Sequence, residues 1–133
     1  MDAATILEHY DDGRLWPDEA SASELDVAAA YRDALAVRAL RIARGERPVG
    51  YKIGFTNRTI WQRYRVFAPI WGTVWDTTLV RGSSGGTVVL QPICQPRIEP
   101  EVAFGFARTP PQDASLEELF DCLAWLAPSF EVV

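Results

Sequence analysis

Apolar and polar positions follow two periods along this chain, and the switches between them mark its elements. Residues 2–10 place Ile6, Leu7 and Tyr10 on one side of a short helix, which Asp11-Asp12-Gly13 breaks. Ser21-Ala22-Ser23-Glu24 matches a capping box and opens a long helix running to Arg44. Its apolar stripe is Ala28, Tyr31, Leu35, Ala39 and Ile42, and Gly45 and Pro48 end it. Period two then takes over. Val49–Phe55, Thr73–Val80, Thr87–Leu90 and Ile98–Phe106 read as strands, with a turn at Gly82-Ser83-Ser84-Gly85-Gly86. Asn57 can cap a short helix holding Ile60, Trp61 and Tyr64. A second capping box at Ser115–Glu118 opens an amphipathic helix through Leu116, Leu119, Phe120, Leu123 and Leu126. Pro128 stops that helix, and Ser129–Val133 reads as a final strand. The pattern predicts an α+β chain, its two main helices packed on a mixed or antiparallel sheet, with no internal repeat and no domain boundary.

Composition narrows the function. The chain has 133 residues, 48% hydrophobic and 23% charged, as expected of one globular domain at most. A net charge of −5 argues against a nucleic-acid partner, because phosphate binding needs clustered Lys and Arg. No apolar run approaches a membrane span, and the N-terminus lacks the pattern of a signal peptide. Cys94 and Cys122 have neither metal spacing nor a disulfide framework, which fits buried thiols in a cytoplasmic protein. The one histidine, His9, falls in a charged helix and reads as a surface residue. Chemistry based on Ser/His or Cys/His pairs has little to stand on. Carboxylates, a lysine or a metal remain. Trp61, Trp71 and Trp75 are core residues by default, with a pocket-lining role open to some of them.

The segment Pro96-Arg97-Ile98-Glu99-Pro100-Glu101-Val102-Ala103-Phe104 carries two carboxylates at i and i+2. On a strand, Glu99 and Glu101 point the same way, and two like charges side by side repel unless something positive lies between them. A hard divalent cation answers that need. A solvated edge strand is the plainer reading of Glu-x-Glu taken alone. Glu131, between Phe130 and Val132 in an apolar run, likewise favours a partner of opposite charge. Lys52 stands mid-strand between Tyr51 and Ile53, with Gly50 and Gly54 beside it. Those glycines would let a ligand or a neighbouring chain approach the backbone closely.

Gly50-Tyr51-Lys52-Ile53-Gly54, the Pro96–Phe104 segment and Phe130-Glu131-Val132-Val133 occur in the order found in one family. From about Glu24 to the last residue, the chain resembles the N-terminal half of the 2-keto-4-pentenoate hydratases and 4-oxalocrotonate decarboxylases, within the fumarylacetoacetate hydrolase superfamily. The resemblance implies that Glu99, Glu101 and Glu131 hold one Mg²⁺ or Mn²⁺. It also implies that Lys52 faces the site as the catalytic residue that polarises or protonates substrate. The implied activity is hydration of 2-hydroxy-2,4-dienoates or related 2-keto acids in aromatic-compound degradation, by a homo-oligomer. Decarboxylation and C–C hydrolysis of an acylpyruvate are alternatives on the same chemistry, and a non-catalytic remnant is a further one.

One position departs from the family pattern. Hydratases usually carry P-D-[FY]-G after the short helix, and here Pro69-Ile70-Trp71-Gly72 puts isoleucine at the aspartate position. Asp76, six residues on, reads as a strand-turning residue rather than a replacement. The apolar strand at Val133 ends without a turn or cap, so residues 1–133 read as a single incomplete domain. By itself this chain is expected to lack turnover.

Overall fold

The computed structural model describes residues 2–15, 26–82, 86–90 and 92–133. The chain divides into two compact units, Met1–Cys94 and Gln95–Val133. Helices and antiparallel strand pairs make it α+β, as the periodicity predicts.

In the first unit, Asp2 caps α1 (Ala3–Asp11) by accepting from the Thr5 N–H at 3.0 Å. Asp26 caps α2 (Val27–Ala43) through the N–H groups of Ala28 and Ala29. The capping box predicted at Ser21–Glu24 lies outside the described residues. Leu35 and Ile42, taken from the sequence as part of the buried stripe, are exposed, whereas Arg41 is only 7% exposed. The reason is a charge network. Arg41 lies against the rings of Tyr10 and Trp75, 5.0 and 4.5 Å from their centroids. Its Nε donates to Glu46, itself 8% exposed, at 3.0 Å. Thr77 donates to the same carboxylate at 2.6 Å, and Arg44 bridges Glu46 to Asp11. One guanidinium thus ties α1, α2 and the end of a strand together.

That strand is β2 (Ile70–Trp75), antiparallel to β1 (Pro48–Gly54), with Lys52 opposite Gly72 and Ile53 opposite Trp71. The predicted Thr73–Val80 strand is therefore shifted and cut short. Asp76 accepts from the Arg47 backbone and side chain, both at 2.9 Å, and Trp75 O accepts from Leu79 N at 2.9 Å, which turns the chain. Thr87–Leu90 forms no strand and has no strand partner among the described residues, and Ile93 N turns back to Leu90 O at 2.8 Å. Asn57 caps the short helical segment as expected, accepting from Thr59 N at 3.0 Å, ahead of α3 (Trp61–Tyr64).

In the second unit, β3 (Ile98–Phe106) pairs antiparallel with β4 (Leu123–Val132). The second capping box forms as predicted, and α4 (Leu116–Asp121) follows it. This helix is shorter than the sequence suggested, since Leu123 and Leu126 belong to β4. The helical spacing there coincides with a period-two run, Leu126, Pro128, Phe130 and Val132, and strand pairing wins.

Arg97 and Val133 exchange both backbone hydrogen bonds, at 2.7 and 2.9 Å, which sets the parity of the ladder. Pro100 and Pro128 both fall at positions whose nitrogens point away from the partner strand, so neither removes a ladder bond. One face of the hairpin then carries Ile98, Val102, Phe104, Leu126 and Phe130. It is strongly exposed, Ile98 at 67% and Phe130 at 69%. The other face carries Glu99, Glu101, Gly105, Glu131, Ser129 and Trp125.

Two expectations follow. Arg41 above all, with Thr77 and Arg44, holds the Glu46 carboxyl down from 4.5 to about 2. A depressed carboxylate stabilises the fold above its unfolded pKa and loses that contribution as pH falls through the folded one. Stability should therefore decline between pH 4.5 and about 2. Glu46→Gln should remove about 2–3 kcal/mol at neutral pH and flatten that acid limb in urea unfolding. A Cβ at Gly105 would run into the Trp125 indole. Gly105→Ala should thus cost about 1–3 kcal/mol in the same measurement.

Candidate metal centre

Strand register decides which side chains of the second unit meet. Glu99 stands directly opposite Glu131, and Glu101 stands opposite Ser129. All four share the face set by the Arg97–Val133 pair, because side chains two apart, and those directly opposite, lie on one side of the sheet. A carboxylate oxygen of each of Glu99, Glu101 and Glu131 lies within 4.8 Å of the others. Glu99 and Glu101 are exposed and Glu131 is half-buried.

Like charges directly opposite one another on a strand pair destabilise it. At this spacing each pair repels by roughly 1–4 kcal/mol, depending on the local dielectric. A divalent ion reverses that sign. Oxygens on opposite sides of one Mg²⁺ are about 4.2 Å apart and those on Ca²⁺ about 5 Å, from the usual metal–oxygen distances. The 4.8 Å spread thus fits the larger ion and needs a closure of a few tenths of an ångström for the smaller. Three carboxylates also leave positions of a six-coordinate ion open to a substrate. The hydroxyl-bearing Ser129, beside Glu131 on the same face, is a further oxygen there. The sequence signal for it was the Ser129-x-Glu131 spacing, which mirrors Glu99-x-Glu101.

Lys52 lies in the first unit, in the middle of β1 and exposed, opposite Gly72. The three tryptophans near it have different surroundings. Trp75 is buried in the Arg41 network. Trp61 is half-buried and donates its indole N–H to Phe55 O at 2.8 Å. Trp71 is exposed, stacks on Tyr31 with centroids 5.3 Å apart and meets Tyr51 edge-on. Its backbone N–H donates to the Tyr31 hydroxyl at 2.9 Å. Ile70 opens β2 opposite Gly54. Asp76 is engaged by Arg47, whose hydrogen bonds lower its pKa, consistent with its reading as a strand-turning residue. Cys122 is buried, Cys94 is half-buried, and both are free thiols. His9 is half-buried, with Nδ1 3.2 Å from Leu15 O. Among the described residues no helix is long and apolar enough to cross a membrane.

No family model matches the chain. Curated proteins do. Over 111 residues it is 31% identical to 2-hydroxyhexa-2,4-dienoate hydratase of Comamonas testosteroni, covering 83% of this chain and 42% of that protein. Over 112 residues it is 30% identical to 4-oxalocrotonate decarboxylase of a Pseudomonas species, covering 81% and 43%. Among solved structures, 4-oxalocrotonate decarboxylase from Pseudomonas putida G7, complexed with magnesium and adipate, superposes with a TM-score of 0.82 at 25% identity. That match covers 98% of this chain and 50% of the other. The chain thus spans about two fifths of the length of these curated relatives. Sequence segments and fold agree: the chain belongs to the 2-keto-4-pentenoate hydratase and 4-oxalocrotonate decarboxylase family, and it matches only part of a member's length.

Proposed function

We propose that this chain is the metal-holding and lysine-bearing part of a hydro-lyase that adds water to 2-hydroxy-2,4-dienoates in the breakdown of aromatic compounds. The observation that carries the proposal is the convergence of Glu99, Glu101 and Glu131 within 4.8 Å. In this reading the three carboxylates hold one Mg²⁺ or Mn²⁺. When bound, the ion supplies Lewis-acid stabilisation of negative charge on the oxygens of a 2-keto acid. Magnesium in the related decarboxylase structure supports the choice of a hard divalent cation. Lys52 acts as the acid–base group, moving a proton to or from substrate carbon. The protein works as a cytoplasmic homo-oligomer on a small 2-keto or 2-hydroxydienoic acid.

Decarboxylation is the second reading, favoured by one observation. Ile70 stands where the hydratase pattern has an aspartate. Replacement of that aspartate by isoleucine suits a reaction in which the bond to carboxylate carbon breaks and a single proton is returned.

Calorimetry with Mn²⁺ tests the ligand set. Wild-type chain should take up one ion, and Glu101→Gln should weaken uptake by more than about tenfold, since affinity follows ligand charge. Equal affinity in the two would remove the basis of the proposal. Loss of dienol absorbance from 2-hydroxypenta-2,4-dienoate, with Mg²⁺ present, tests the reaction. A protein of the relatives' length carrying these segments should turn over and lose activity on Lys52→Ala. Residues 1–133 alone should show little turnover, because catalysis also needs the walls of a water-controlled cavity. Release of CO₂ from 4-oxalocrotonate without dienoate hydration would select the decarboxylase reading.

A further inference from the structure

Three glycines surround Lys52 on its face of the β1–β2 pair: Gly50 and Gly54 at i±2, and Gly72 directly across. None of the three has the positive φ that calls for glycine, although glycine in a strand interior weakens it. They differ in what a side chain would meet. A Cβ at Gly50 would lie 4.0 Å from Val74, and one at Gly54 would lie 3.9 Å from Ile70, both ordinary contacts. A Cβ at Gly72 would lie 3.2 Å from Lys52 Cγ and 3.4 Å from its Cδ, the groups it would meet within 4 Å among the described residues other than its chain neighbours. The Lys52 stem therefore lies across the neighbouring strand, over the place where residue 72 would carry a side chain.

We propose that Gly72 is a positioning residue for Lys52. Its missing Cβ lets the lysine stem fold over β2, which fixes the direction in which the ammonium group leaves the sheet. The clamp on the opposite face keeps Gly72 in register. There the Tyr31 hydroxyl accepts from Trp71 N–H at 2.9 Å, and the Tyr31 ring stacks on Trp71. A methyl group at position 72 requires the stem to give by a few tenths of an ångström at Cγ, and a small displacement there is magnified at Nζ, three bonds beyond Cγ. The inference rests on the reading of Lys52 as the acid–base group, but its geometry can be tested separately.

The test uses NMR on the 133-residue chain. Wild-type protein should give cross-peaks between the Gly72 Hα protons and the Lys52 Hγ and Hδ protons. Gly72→Ala should shift the Lys52 side-chain ¹³C resonances while the β1–β2 amide pattern persists. Gly54→Ala, where a Cβ has room, should keep the cross-peaks. Gly72→Ala should lower the unfolding midpoint in wild type and not in a Lys52→Ala background, because the obstacle is gone. Missing wild-type cross-peaks, or an equal loss of stability in both backgrounds, would overturn the assignment even if Gly72→Ala folds poorly. In a protein of the relatives' length, Gly72→Ala should reduce kcat by about tenfold or more with KM little changed, the mark of a misplaced reacting group. A parallel rise in KM with kcat intact would overturn it. If the cross-peaks are present but Lys52→Ala leaves turnover intact, the acid–base reading of Lys52 fails and the Gly72–Lys52 packing stands. If Lys52→Ala abolishes turnover but the cross-peaks are absent, the Gly72 inference fails and the functional reading stands.

Discussion

The second unit is organised by a repulsion. Glu99, Glu101 and Glu131 stand on one face of a two-stranded hairpin with oxygens within 4.8 Å, where like charges weaken strand pairing. Everything around them keeps the strands in register despite this. The backbone bonds between Arg97 and Val133 close the ladder at one end, and the Gly105–Trp125 crossing packs the other. Pro100 and Pro128 both occupy the parity that costs no ladder bond. A hairpin alone is marginal in water, and the cation proposed above would offset the repulsion among the three carboxylates.

The same register has a consequence for the opposite face. Fixing the glutamates on one side sends Ile98, Val102, Phe104, Leu126 and Phe130 to the other, where they are exposed. A one-residue slip would exchange the two faces, so the acidic site and the apolar surface specify each other. Apolar surface of this kind marks a place where further protein packs.

The first unit uses charge in the opposite way. Arg41 and Glu46 are buried together, with Thr77 and Arg44 filling the remaining hydrogen-bond positions of the carboxylate. A buried pair costs desolvation, and it is tolerated here because its geometry is complete. Between the Tyr10 and Trp75 rings, the guanidinium joins α1, α2 and the end of β2, the strand that carries Gly72 beneath Lys52. Tyr31 secures the other end of β2 at Trp71. The proposed acid–base lysine is thus carried on a strand pair anchored at both ends.

Local signals fixed most of the elements in advance. The turn at Gly45, the Asn57 cap, the Ser115–Glu118 capping box and the strands bearing Lys52 and Glu99 are short-range chemistry, legible because each depends on neighbours in sequence. That Glu99 and Glu101 share a face follows from strand alternation alone. Tertiary structure decided what depends on distant partners. Leu126 satisfied both a helical and a strand spacing, and pairing with Phe104 made it strand. Thr87–Leu90, apolar enough for a strand, found no strand partner among the described residues and stayed irregular. Arg41 was buried in place of Leu35 and Ile42 because Tyr10, Glu46 and Trp75 converge on it from three other parts of the chain. The placement of Glu131 opposite Glu99, and of Gly72 opposite Lys52, could be set only by strand register, a long-range property that no local window of residues contains.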